Sequence, residues 1–72
     1  MKLYRKYKKT FEPIDDYSTI SIGSIVKVFS EKTNRFIDKV PYFVAGVMSD
    51  NIILESDGKR VNFSISNKTL TK

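Results

Sequence analysis

Cysteine, histidine and tryptophan are absent from this chain, alanine occurs once, at Ala45, and proline and glycine together account for five positions. Without cysteine there is neither a disulfide framework nor a thiolate metal site, and its absence fits a reducing compartment. The lack of histidine as well leaves only carboxylates and carbonyls for a metal, which excludes structural zinc and disfavours transition metals. Ser-His and Cys-His nucleophiles are excluded on the same ground. Three dispersed glycines, Gly23, Gly46 and Gly58, cannot make a phosphate loop. Asp15 and Asp16 are adjacent and point apart on an extended chain, a poor dyad. No catalytic residue, cofactor or metal is therefore expected. Long apolar runs are also missing: Val40 to Met48 is the longest, under half of the ~20 residues a membrane helix needs. Nor does an apolar core follow the basic start, as a secretion signal would require. A cytoplasmic protein with no membrane partner is expected.

What is present is a block of charge. Lys2, Arg5, Lys6, Lys8 and Lys9 fall within the first nine residues with no acid among them, and the rest of the chain carries equal numbers of basic and acidic side chains. The whole excess of +5 therefore belongs to one short segment. Glu12, Asp15 and Asp16 follow it around Pro13, which restricts Glu12 to extended conformations and marks a boundary. Leu3, Tyr7 and Phe11 stand at i, i+4, i+8, a helical spacing, so residues 1–16 are expected to form a basic arm or a short helix with an acidic linker. Residues 17–72 are expected to fold as one small domain, which at this chain length buries only about 60% of its unfolded surface. The abundance of Lys, Ile, Ser and Asn is a bias that accompanies AT-rich bacterial or phage genomes.

From Ser18 onward the pattern is β. Ile20, Ile22, Val26 and Val28 share one parity, and Gly23 introduces a strand over Ser24 to Phe29. Ser30 to Lys39 reads as a long loop or a loosely paired hairpin. Val40 to Met48 is apolar enough to be buried on both faces, with a bend or bulge at Gly46. Asp57-Gly58 predicts a two-residue hairpin turn, because both positions need positive φ. Val61, Phe63 and Ile65 then alternate with polar residues, and a short strand, Thr69 to Lys72, follows a turn at Ser66 to Lys68.

Ile22-Gly23-Ser24-Ile25-Val26-Lys27-Val28 resembles the G-x-x-V-x-V opening of SH3-like barrels. Ala45-Gly46-Val47-Met48 through Asn51-Ile52-Ile53-Leu54, with Asp57-Gly58 and Phe63 after it, is similar to their central hairpins. Sm-like barrels share this plan and often begin with a short helix, although their polar nucleotide-pocket signature is not matched at Ser64, Ser66 or Lys68. The resemblance implies an all-β fold, a five-stranded barrel over residues 17–72. Such barrels host binders of nucleic acid, peptides and proteins alike.

Five cations interleaved with Tyr4 and Tyr7 match the chemistry of a polyanion: lysines follow phosphates and tyrosines stack on bases. Lys2, Tyr4, Arg5, Lys6, Tyr7, Lys8 and Lys9 are therefore candidate nucleic-acid contacts. The competing account is a solubilising tail whose lysines fold back onto Glu12, Asp15 and Asp16. Arg35 beside Phe36, in the long loop, offers a second cation and ring, with Phe36 as a lid on the core as the alternative. Tyr42 and Phe43 have opposite parities, so the exposed one joins the binding face, and Tyr42 is included among the candidates. Lys27 projects from its strand toward the same groove or toward solvent, and Lys59 and Arg60 read as edge charges that deter strand pairing, with a further positive spot as the alternative. The expected function is non-catalytic nucleic-acid binding with low sequence specificity. The alternative is a protein-interaction module, such as a phage or mobile-element accessory protein or host inhibitor. Oligomeric state is left open.

Overall fold

Alternation, not helical spacing, governs the start of the chain. The computed structural model describes residues 1–71, and in it Lys2–Tyr7 is a strand, β1, with Leu3 fully buried and Lys6 and Tyr7 exposed. Thr10–Pro13 forms β2, paired antiparallel with β1. The helical spacing of Leu3, Tyr7 and Phe11 is thus not realised. A single helical turn has few internal hydrogen bonds, whereas β1 gains ladder partners on both sides.

After a one-turn 3₁₀ helix at Tyr17–Thr19 come β3 (Ile25–Ser30), β4 (Arg35–Phe36), β5 (Tyr42–Val47), β6 (Asn51–Ser56), β7 (Lys59–Ser64) and β8 (Thr69–Thr71). All pairings are antiparallel, in the order β2-β1-β3-β5-β6-β7-β8, with β4 beside β5 on the same edge of β3. The all-β class predicted for the chain is the one observed. Its five expected strands are β3, β5, β6, β7 and β8, and three more arise from the basic segment and from the Ser30–Lys39 loop. The sheet is open rather than a closed barrel, with β2 and β8 as its edges.

The open sheet is strongly curled. Laid flat, seven strands would span about 29 Å in a single thin layer, whereas the molecule measures 26 × 26 × 26 Å. Curling brings the inward side chains Leu3, Val26, Val28, Val44, Ile52, Leu54 and Phe63 into one core. Ile14 and Ile20 cover its open side together with Tyr17, whose hydroxyl accepts from Leu3 N (3.1 Å) and whose ring lies 5.6 Å from that of Phe63. Met1 N donates to Lys68 O (2.9 Å), joining the start of β1 to the turn before β8.

Asp57 and Gly58 take φ of 56° and 77° and link β6 to β7 as predicted. The register of β5 against β6 shifts between Val44 and Gly46, which places a bulge at the expected position. The expectation of two buried faces for Val40 to Met48 is not met: Val44 is buried, while Phe43, Val47 and Met48 are exposed. A single-layer sheet has only one covered face. Ile22 is likewise exposed, in the turn that precedes β3.

Candidate functional site

Pairing of β1 with β3 sets Leu3 against Val28 on the core side, so Tyr4 stands opposite Lys27 on the outer face. The same parity brings further rings to that face. Phe29 lies on β3, with Phe36 of β4 opposite it, and Phe11 of β2 faces Lys6 of β1. Tyr4 packs against Phe29 (ring centroids 5.4 Å) and edge-on against Phe36 (5.1 Å), and Phe29 meets Phe36 at 5.5 Å. The Lys27 ammonium lies 4.8 Å from the Phe11 centroid and 5.3 Å from that of Phe36, a cation held at the level of the rings. Four strands thus carry a half-buried aromatic surface with a lysine set into it.

This surface borders the β1–β2 hairpin. Tyr7 pairs with Thr10, and Lys8 and Lys9 form the connection between them. Thr10 Oγ1 donates to Tyr7 O (3.1 Å), and Lys8 takes φ of 57°, the left-handed region that glycine and asparagine occupy more easily. Tyr7 is 57% exposed, with the Lys8 ammonium 5.5 Å from its ring centroid. Among the described residues Lys6, Lys8 and Lys9 form no ion pair. The other two cations of the segment are engaged. Lys2 Nζ donates to Asp15 Oδ1 (3.2 Å), a bond that raises its pKa. Arg5 Nη1 donates to Thr19 O (3.1 Å) and Thr19 Oγ1 (3.3 Å). The fold-back onto the acidic linker therefore applies to Lys2 and not to the hairpin.

Phe36 lies in the outer aromatic cluster, not over the core as a lid, and Arg35 is exposed beside it, opposite Ser30. Tyr42 is separated from these residues. It pairs with Val26 on the inner face and packs against the core, with its hydroxyl bonded to Asp38 Oδ2. Burial, with Asp38 adding to it, pushes its pKa up to about 12. Its neighbour Phe43, 56% exposed and opposite Ile25, takes the outward place. Of Lys59 and Arg60, the latter is tied to Glu55 across β6 and β7 (Nε to Oε1, 2.8 Å).

Sequence reasoning missed Phe11 and Phe29. Phe29 carries the parity of Lys27, a usable signal, whereas Phe11 fits a helical stripe in the sequence and no local window shows its strand partner. At one end of the curled sheet a groove of about 540 Å³ is lined by Ile37, Asp38, Val40, Tyr42, Val61 and Leu70. It holds no cluster of metal-ligating side chains, nor does any other part of the described residues. No described helix is long and apolar enough to cross a membrane. Comparison with protein-family models, curated proteins and solved structures finds no match.

Proposed function

We propose that this protein is a non-catalytic nucleic-acid-binding domain that grips the phosphate backbone with low sequence specificity. The observation that carries this reading is the β1–β2 hairpin, where Lys6, Lys8 and Lys9 have no acidic partner among the described residues and border a surface rich in aromatic rings. Unpaired lysines exchange condensed counterions for phosphate contacts, so affinity falls with salt. Lys8 adds support, because it occupies a left-handed backbone position at a cost that glycine would avoid. In the same reading β3, β5, β6, β7 and β8 form an SH3-like core to which the hairpin adds two strands.

Titration of fluorescent oligonucleotides at several salt concentrations tests it. Lys8→Ala with Lys9→Ala should weaken binding and reduce the log–log salt slope by about 0.7 to 0.9 for each phosphate that is no longer neutralised. No detectable binding of the intact protein to DNA or RNA at low salt would rule it out. Exposed Phe43, Val47, Met48 and Ile22 favour a second reading, a protein-interaction module using an apolar surface. Under that reading a stoichiometric protein partner is captured from nuclease-treated lysate and is retained at high salt.

A further inference from the structure

The hairpin lysines suit any phosphate backbone, but the aromatic surface beside them does not. We infer that the ligand is a single strand whose unpaired bases stack on Tyr4, Phe11, Phe29 and Phe36; this rests on the nucleic-acid reading above. In a duplex the base faces are covered by their neighbours, and only the sugar-phosphate exterior would meet these rings. An unpaired base presents a free π-face, and stacking on aromatic side chains is tolerant of base identity. Such tolerance matches the low sequence specificity proposed for the site.

The arrangement has a direction as well as a composition. Phe11 on β2, Tyr4 on β1, Phe29 on β3 and Phe36 on β4 occupy four successive strands, a path of about 14 Å across the sheet. Lys27 lies within cation–π distance of rings at both ends of that path, Phe11 and Phe36. A phosphate leaving one stacked base for the next would find this ammonium at ring level. Lys6, opposite Phe11 and on the face of Tyr4, extends the track at one side with Lys8 and Lys9 in the adjoining turn, whereas Tyr7 and Arg35 have the opposite parity. The length suits a site of about four nucleotides, the short end for small barrels.

Three probes separate base stacking from backbone attraction: a twelve-residue oligothymidylate, an abasic single strand of the same length, and a twelve-base-pair duplex. Oligothymidylate should bind at least tenfold more tightly than either of the others. Phe11→Leu and Phe36→Leu keep the apolar bulk while removing a π-face. Each should weaken oligothymidylate binding about fivefold or more and leave abasic binding unchanged. Lys9→Ala should weaken all three together. Circular dichroism of each variant checks that the sheet is retained, and if either Leu variant unfolds, the unmodified protein's oligothymidylate-to-abasic ratio decides alone. Abasic or duplex binding equal to that of oligothymidylate would overturn the single-strand inference and leave the phosphate reading standing. Failure of all three probes to bind would overturn both.

Discussion

Replacing Leu3 by alanine tests whether the basic segment is a structural strand. Leu3 has no solvent exposure, faces Val28 across β1 and β3, and accepts from Ile14 N at 3.0 Å through its carbonyl. Truncation leaves a cavity between two strands whose backbones are fixed by ladder bonds, so collapse into it is limited. Buried Leu→Ala changes cost about 2 to 5 kcal/mol. At about 0.05 to 0.15 kcal/mol per residue, a domain of this size has only about 4 to 11 kcal/mol of stability. The change therefore removes a large share of the total, and at about 4 to 8 °C per kcal/mol the Tm should fall by about 10 °C or more. Thermal unfolding followed by circular dichroism measures it. Tyr7→Ala, in the same strand but exposed, is the control and should stay within about 0.5 kcal/mol. If Leu3→Ala lowers the Tm no further than Tyr7→Ala, β1 is not part of the core and the hairpin is an appendage. The same geometry makes deletion of residues 1–9 unsuitable as a binding test, because it removes β1 and uncovers the edge of β3.

Lys8→Gly relieves a left-handed lysine, worth about 1 to 2 kcal/mol, against an entropic cost of about 0.5 to 1 kcal/mol. It should raise the urea midpoint slightly while weakening oligonucleotide binding, and a lower midpoint would contradict the assigned turn. Gly58→Ala meets no atom within 4 Å of the added carbon but must adopt φ of 77°, so a loss of about 1 kcal/mol is expected from backbone strain alone. Asp50 accepts from Ser66 N (2.9 Å), Ser66 Oγ (2.9 Å) and Ser64 Oγ (3.2 Å), and these bonds lower its pKa. Its contribution is present above the ordinary carboxylate value and lost as pH falls through the depressed folded value. The Tm difference between the protein and Asp50→Asn should therefore narrow in acid, and a difference independent of pH would contradict that role.

Much of the fold was legible where a local signal and a burial pattern agreed. Val26 and Val28, the Asp57-Gly58 turn, Phe63 and the bulge near Gly46 each carry both. The basic segment lacked that agreement. Its single buried side chain, Leu3, is flanked by charged and aromatic residues that face outward or line the sheet's rim, so alternation is masked. What makes it a strand is pairing with β3, a long-range contact that no window of sequence contains. Tyr42 and Phe43 show the complementary case. Their opposite parities were evident, but which faced inward depended on the register Val26–Tyr42, and the structure assigns the exposed place to Phe43.

Making the basic segment a strand changes what its charges can do. On a flexible arm, five cations and two tyrosines would be equivalent and would incur an ordering cost on binding any ligand. In the sheet they are divided by position. Leu3 anchors β1, Lys2 and Arg5 are held by Asp15 and Thr19, and Tyr4 joins the Phe29 and Phe36 rings. Of the segment's five cations, Lys6, Lys8 and Lys9 are the ones with neither an ion pair nor a hydrogen bond among the described residues, and the hairpin backbone places them beside the aromatic face. If the hairpin grips phosphate as proposed, the net charge of the chain overstates the free charge that the segment offers, which is three lysines, and understates its order. A preorganised site of few charges should show a shallow salt slope with affinity supported by stacking, whereas a disordered tail of five should show a steep one with little dependence on base faces.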